Sequence, residues 1–346
     1  KLYDKNSTTR IVCTKQTGYV TETLCHGWRS LAGRTFCIWF FFSNYLILKK
    51  QMRNKFYFLI AVMIVASQAV SQIMVNKTWE QLAGAPDPDV DWSESRVDIA
   101  GKLVTVGNTF NESDENYNFY ISKVNPETGE PYWEVEWNGP DDMDDYATGL
   151  HMTSDAIYVC GLAKYSSNAS DWIVLKLDPQ DGSTIWTYTH DDQLALSAAP
   201  ADIIVDTLDV FVTGAVLKSS TSSDYLTMRL DKEYGTLVWS EDYDYDNFYD
   251  VGVRMAMSND YVYVTGASGS DWDDAQITTL RYNKSDGSNG SATTFYNPSE
   301  YIDLPTDLEV DLDGNVYVCG KFDTGSSIDI VTIKLDEVLD TVWTAS

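Results

Sequence analysis

An all-β fold built from tandem copies of one unit of about 53 residues is what this sequence predicts, on three observations. A short apolar strand ends at glycine five times, at Gly107, Gly161, Gly214, Gly266 and Gly320, at intervals of 54, 53, 52 and 54 residues by subtraction. A basic residue recurs in the strand that follows, as Lys123, Lys176, Arg229, Arg281 and Lys334. A large aromatic closes the pattern, as Trp79, Trp133, Trp186, Trp239 and Trp343, with Phe295 standing in for Trp in the copy whose preceding turn is longer. Three columns in one register, at a period near fifty residues, are the signature of a repeat architecture.

The repeat does not begin at once. Residues 1–51 are basic, rich in Cys and aromatics, and share nothing with it. Met52-Arg53-Asn54-Lys55 then forms a positive n-region, Phe56 to Ala66 an apolar run too short to span a bilayer, and Ala69-Val70-Ser71 a small-x-small cleavage pattern. This predicts a secretory signal peptide over 52–71, with 1–51 as non-native upstream sequence and 72–346 as the exported domain. The alternative makes 1–51 a genuine extension anchored around Phe36–Leu48; Ser43, Asn44 and the shortness of that run argue against it.

Removing 1–71 sharpens the charge. Those residues hold ten of the 24 Lys+Arg and two of the 52 Asp+Glu, which leaves 14 basic against 50 acidic residues, a net of −36. Such a surface repels nucleic acid and anionic lipid and favours cations, or is a solvated surface without a specific partner. Cys13, Cys25 and Cys37 fall in the upstream segment, and Cys160 and Cys319 share a YVCG context in two non-adjacent copies. They should lie too far apart to bridge, so two buried free thiols are expected.

Each unit resolves into four short β-type runs. The first ends at the glycine (LVTVG, IYVCG, VFVTG, YVYVTG, VYVCG), and its β-branched and aromatic residues suit a buried strand that bends at a crowded place. The second carries the basic residue (FYISKVN, WIVLKLD, YLTMRLD, ITTLRYN, IVTIKLD). The third carries the Trp after turns such as PETG, PQDG and KEYG, and the fourth (ADIIVD, VRMAMS, LEVDLD) leads back to the next first strand. Four antiparallel strands per unit with one large aromatic at a fixed place predict a β-propeller, in which Trp fills the wedge between blades and Gly permits close approach. A β-solenoid is the competitor, but its repeats are shorter.

Asp311-Leu312-Asp313-Gly314-Asn315-Val316-Tyr317-Val318-Cys319-Gly320 resembles the D-x-x-G-N-x-Y-V-x-G core of the bacterial secreted beta-propeller repeat family, and the likeness extends over about residues 75–346. Asn125–Trp133, with Thr128-Gly129, and Asp178–Trp186 are similar to the docking motif of quinoprotein-type propellers, in which the Trp docks blade on blade. The resemblance implies a secreted or cell-surface protein and speaks weakly of activity. A quinone-dependent dehydrogenase of that type would carry more blades and a vicinal Cys pair, which is missing.

Strand order predicts five blades, the fifth completed by pairing strands near Trp79 and Val97–Ile99 with the C-terminal ones, a closure that removes free edges. The alternative is a fragment of a longer propeller, because Thr341–Ser346 repeats a Trp strand that the N-terminus already supplies.

Glycine and tryptophan anchors (Gly107, Gly161, Gly214, Gly266, Gly320, Trp133, Trp186, Trp239, Trp343) are expected to be structural. The basic column, with Asn125, Asp178, Asp231, Asn283 and Asp336 two residues later, predicts inter-blade ion pairs or hydrogen bonds. Asp311, Asp313 and Asn315 place oxygens at alternate positions as calcium loops do, without the later bidentate Glu; tight-turn chemistry predicts the same residues. Acid-dense loops at Asp87–Asp91, Asp141–Asp145, Asp242–Asp246 and Asp271–Asp274 carry Trp92, Tyr146, Tyr243, Tyr245, Phe248, Tyr249 and Trp272 among them, a pattern for a sugar- or protein-binding rim or for wedge packing. His151 and His190 occupy non-equivalent places, so a His-based metal site or triad is poorly supplied. No catalytic residue and no cofactor other than calcium is assigned. The sequence thus predicts a non-enzymatic extracellular binding or structural module, its partner a protein, a polysaccharide or another copy of itself, with a self-assembling filament subunit and a polysaccharide hydrolase or lyase as alternatives.

Overall fold

In the computed structural model the described residues are 91–97 and 101–346, save 168, 191–196, 220–221, 246–248, 271–274, 289 and 297–301. Residues 1–71, on which the expectations of an upstream segment and a signal peptide fall, and Trp79 lie outside them. Twenty strands and no helix occur among the described residues, arranged as five antiparallel units of four consecutive strands, sheets I to V, of which the third and fourth are joined into one eight-stranded sheet by a single parallel bridge, Ser223 opposite Tyr249. Sheet I is β1 (Asp91–Val97), β2 (Leu103–Asn111), β3 (Asn116–Val124) and β4 (Pro131–Trp137). Sheet II is β5 (Asp145–Met152), β6 (Ile157–Ser166), β7 (Ala169–Leu177) and β8 (Thr184–His190). Sheet III is β9 (Ser197–Val205), β10 (Asp209–Ser219), β11 (Ser222–Asp231) and β12 (Leu237–Tyr243), and sheet IV is β13 (Tyr249–Met257), β14 (Tyr261–Gly269), β15 (Gln276–Asn283) and β16 (Ser291–Phe295). Sheet V is β17 (Leu304–Val310), β18 (Val316–Asp323), β19 (Ile328–Leu335) and β20 (Thr341–Ala345). The architecture is a β-propeller, as the three columns predict.

Apolar side chains explain the stacking. Both faces of a central strand are buried, so each sheet needs a neighbour on either side. Four clusters fill the gaps between successive sheets: Val104, Phe119 and Ile121 meet Leu150, Val159 and Leu175 between I and II. Tyr158, Cys160 and Trp172 meet Val212, Leu226 and Met228 between II and III, and Phe211 and Tyr225 meet Val264 and Leu280 between III and IV. Tyr263 and Ile277 meet Val318 and Ile333 between IV and V. The innermost strands β1, β5, β9, β13 and β17 run side by side in that order and define the axis.

Two glycines show why that residue is demanded. A Cβ on Gly266 would overlap the Val251 carbonyl oxygen, because the innermost strand bulges between Gly252 and Arg254 directly opposite. Gly235, at φ +68°, turns the chain under Trp186, whose ring carbon Cδ2 would lie 2.6 Å from an added Cβ.

Three expectations are corrected. The fifth blade does not draw strands from both chain ends: β17–β20 complete it, and β1 ends at Val97 as the innermost strand of sheet I. Phe295 is not the Trp equivalent. The Trp column faces the basic column (Trp133 opposite Lys123, Trp186 opposite Lys176, Trp239 opposite Arg229), whereas Arg281 faces Ser291, and Phe295 sits opposite Ile277 where Trp137, His190 and Tyr243 sit in other sheets. The aromatic thus stands four residues, two side-chain repeats, further along the strand than the Trp position. Both Cys160 and Cys319 are free, but only Cys160 is fully buried; Cys319 is half-buried.

Candidate functional site

The docking columns use most of the conspicuous side chains. Lys123 Nζ and Trp133 Nε1 both donate to the Pro179 carbonyl of the next sheet, at 3.0 and 3.3 Å. Lys176 and Trp186 converge on the Lys232 carbonyl at 2.9 and 3.2 Å, and Arg229 and Trp239 on the Lys284 carbonyl at 3.0 Å each. Arg281 reaches the Glu337 carbonyl at 2.7 Å, where Thr293 Oγ1, bonded to the Leu339 carbonyl at 2.8 Å, adds the second link. The acceptor is always the residue after the Asx that opens the turn between the second and third strands. The Asx side chains themselves fold into their own turns, as Asp178 Oδ1 accepts from Gln180 N at 2.7 Å and Asp231 Oδ1 from Tyr234 N at 2.8 Å. The basic column therefore reaches the next blade through cation-to-carbonyl hydrogen bonds, although Arg229 also pairs with Asp209 of its own sheet, and the turn lysines Lys232 and Lys284 add ion pairs back to Asp155 and Asp206 of the preceding blade.

Chemistry-bearing groups meet at the axis. The bulge in every innermost strand brings Glu94, Gly149, Asp202, Arg254 and Asp307 to the same register position. Glu94 pairs with Arg96 and accepts from Leu150 N in the next sheet at 2.6 Å. Asp202 makes the same kind of bond two gaps further on, accepting from Met255 N at 2.8 Å, while its other oxygen takes Ile203 N at 2.9 Å. Burial pushes both carboxyls up; Arg96 opposes it at Glu94 and Arg254 at Asp202. His151 belongs to this cluster, and burial, with the charges of Arg96 and Lys232, lowers its pKa to about 4. Cys160 lies beneath it, its thiol held protonated by burial, with Thr148 Oγ1 3.4 Å from the Cys160 carbonyl. The arrangement ties one innermost strand to the next. A neutral imidazole, a protonated thiol and carboxylates bonded to backbone amides supply no activated nucleophile.

A second acidic set occupies the rim where the outer strands of sheets I and III cross to the next sheet. Asp145 and Asp250 are fully buried at equivalent positions, and each accepts a backbone N–H from the incoming linker, Gly139 N and Tyr245 N (2.6 Å) respectively. Burial raises both to about 7, with Asp144 and Asp244 adding repulsion, and Asp224, beside Asp250, is raised to about 6, again chiefly by burial. Around them Asp144 pairs with Lys164 at 2.8 Å and Asp242 with Lys218 at 3.1 Å. Of the loop aromatics, Tyr146 stacks on Tyr117 and Tyr243 packs on Tyr225, whereas Tyr245 stays exposed. Asp87, Asp89, Asp246 and Asp271–Asp274, with Phe248 and Trp272, lie outside the described residues, as do the side chains of Asp91 and Trp92.

The Asp311–Asn315 segment is a tight turn. Asp311 Oδ1 accepts from Asp313 N and Asn315 N, both at 2.9 Å, and Oδ2 from Asn315 Nδ2 at 2.8 Å and Tyr317 Oη at 3.0 Å. These bonds, Asn315's foremost, hold the Asp311 carboxyl down at about 2. Gly314 supplies φ +84°. Among the described residues no group of three or more His, Cys, Asp or Glu is placed to hold a metal ion.

Sequence reasoning missed the axial set. Glu94, Asp202 and Arg254 differ in type, so they form no column, and only the bulge register aligns them.

No family model matches this chain, and no curated protein matches it. Similar solved structures include the propeller of Dos1, at 9% identity and TM-score 0.48, covering 73% of this chain and 59% of that one. The quinohemoprotein alcohol dehydrogenase of Comamonas testosteroni is 10% identical with TM-score 0.46; 71% of this chain is covered, and the chain spans about half of the dehydrogenase, 52%. The alpha-L-arabinofuranosidase Arb93A of Fusarium graminearum is 9% identical with TM-score 0.44, covering 72% and 89%. At such identities the likeness concerns the fold.

Proposed function

We propose that the protein is a non-catalytic, acidic β-propeller that works outside the cell as a binding or structural module. One observation carries this reading. At the axis, where carboxylates, arginines, histidine and thiol converge, Glu94 and Asp202 are engaged by backbone amides of neighbouring strands and by arginine charge. The signal-peptide pattern at 52–71 and the resemblance of 311–320 to secreted repeats support the location. The partner is an extracellular protein or polysaccharide met by the acidic rim around Asp144 and Asp242, near the exposed Tyr245. Both Asp311 oxygens accept bonds from their own turn, which favours the tight-turn reading of 311–315 over a calcium loop.

The test pairs binding with turnover. The exported domain is passed over arrays of neutral and cationic polysaccharides and of extracellular proteins, at low and at 1 M salt, and the same ligands are assayed for cleavage. Retention that weakens with salt and no cleavage is the expected result. Cleavage abolished by Glu94→Gln or Asp202→Asn in a protein that still melts cooperatively would replace the module with an enzyme.

A further inference from the structure

The trailing face of sheet V carries the donor half of a blade junction. In sheets I to IV the first residue of the second-strand motif, Phe119, Trp172, Tyr225 and Ile277, is buried at 0 to 1% exposure, whereas its counterpart Ile330 is 74% exposed. Three of these residues fit against the next sheet's strand-end glycine: Phe119 against Gly161, Tyr225 against Gly266, Ile277 against Gly320. The next column repeats the contrast. Tyr158, Phe211 and Tyr263 are fully buried and Tyr317 is half-buried, as Cys319 is beside it. Lys334 has no carbonyl of a following sheet among the described residues and lies over its own Tyr317 ring, 5.1 Å from the centroid. Trp343, in the column that elsewhere donates to that carbonyl, is 42% exposed. Ile330, Tyr317, Lys334 and Trp343 thus share one open face, laid out as at the other junctions.

We infer that this face docks a sixth blade of the same repeat within the natural polypeptide. The occupant must offer two things in register: a strand-end glycine, as the hole for Ile330, and an Asx-x-x-x-Gly turn whose second residue turns its carbonyl toward Lys334 and Trp343. Sheets II and IV present both features to their predecessors, and sheet III presents the turn. A second copy fits poorly. Two such faces would set donor against donor and Lys334 against Lys334. The turns of sheets II to V already hold their neighbours' donors, and in sheet I both Gly107 and Gly129 are buried. An isolated apolar ligand would leave both donors without an acceptor.

The experiment compares the protein isolated from its natural source with the recombinant 346-residue chain. Lysine acetylation and oxidative footprinting, read by peptide mass spectrometry, report on Lys334 and Trp343, and peptide mapping reads the sequence beyond β20. Labelling at both residues at least tenfold slower in the natural protein, with a further repeat copy in its peptides, is expected. Equal labelling overturns the inference. Protection without a further copy also overturns it, since a second chain or another protein would then be the cover. In the recombinant chain Ile330→Arg should shift Tm by less than about 2 °C. A large fall there would mean that the face is already packed, and would overturn the inference independently of the natural sample.

Discussion

Sheets III and V carry nearly the same residues in the same register and meet different surroundings. Sheet III places Trp239 over the Asn283–Gly287 turn at 8% exposure, with its indole N–H on the Lys284 carbonyl. Sheet V places Trp343 opposite Lys334, as Trp239 lies opposite Arg229, yet leaves it 42% exposed. The repeat fixes which side chains a blade presents; the neighbouring blade fixes what they are worth. A Trp, a cation and an apolar knob are a junction only when a glycine hole and a turn carbonyl stand opposite.

The largest expected effect breaks that comparison directly. Trp239→Ala should destabilise by about 3–5 kcal/mol, the loss for a large side chain truncated in a core. Trp343→Ala in the same 346-residue chain should cost under about 1 kcal/mol, because a half-exposed ring has little burial to lose. Chemical denaturation of the two variants side by side measures the gap. Equal losses would show that Trp343 is packed as Trp239 is, and would end the contrast between the sheets.

The same contrast explains how much could be read from the chain alone. Gly107 to Gly320 and Trp133 to Trp343 repeat because the demand for a bend and a wedge is the same in every blade, so the fold and the succession of strands within a repeat were legible as columns, but not which strands make the fifth blade. Phe295 misled because an extended turn moved an aromatic along β16, and only the pairing of Arg281 with Ser291 reveals the shift. The axial cluster was not legible at all. Glu94, Asp202 and Arg254 reach one position through bulges, which break the two-residue alternation on which strand reading depends. Exposure of Ile330 was equally hidden, since its motif IVTIKLD reads like that of any other blade.

Sheets II and IV differ from sheet III in carrying a buried aspartate at the linker crossing, which gives a second comparison. Asp145 and Asp250 titrate near 7 in the fold against 3.8 for the free group. The folded state therefore holds protons that the unfolded chain has lost between about pH 4 and 7, and stability falls as pH rises through that window. His151 works in the opposite sense: lowered to about 4 from 6.5, it withdraws stability as pH falls between those values. Asp145→Asn, which keeps an acceptor for Gly139 N, should flatten the fall and stabilise the protein at pH 8 by on the order of 2 kcal/mol. Thermal melts at half-unit steps from pH 4 to 8 read it. An unchanged slope in both Asp145→Asn and Asp250→Asn would mean that these carboxyls are ionised in the fold.

The smallest effect returns to the cation column. Lys176 donates to the Lys232 carbonyl at 2.9 Å across a junction, and Lys176→Met, which keeps the aliphatic stem, should cost about 1 kcal/mol, the net worth of one such bond. Lys334 leans only on Tyr317 within its own sheet, so Lys334→Met should change stability by less than about 0.5 kcal/mol. The difference isolates the turn carbonyl as the element a junction adds, because the lysine, the ring beneath it and the strand register are shared. Were Lys334→Met as costly as Lys176→Met, the cation would matter through its own blade, and the carbonyl opposite would be incidental in every sheet.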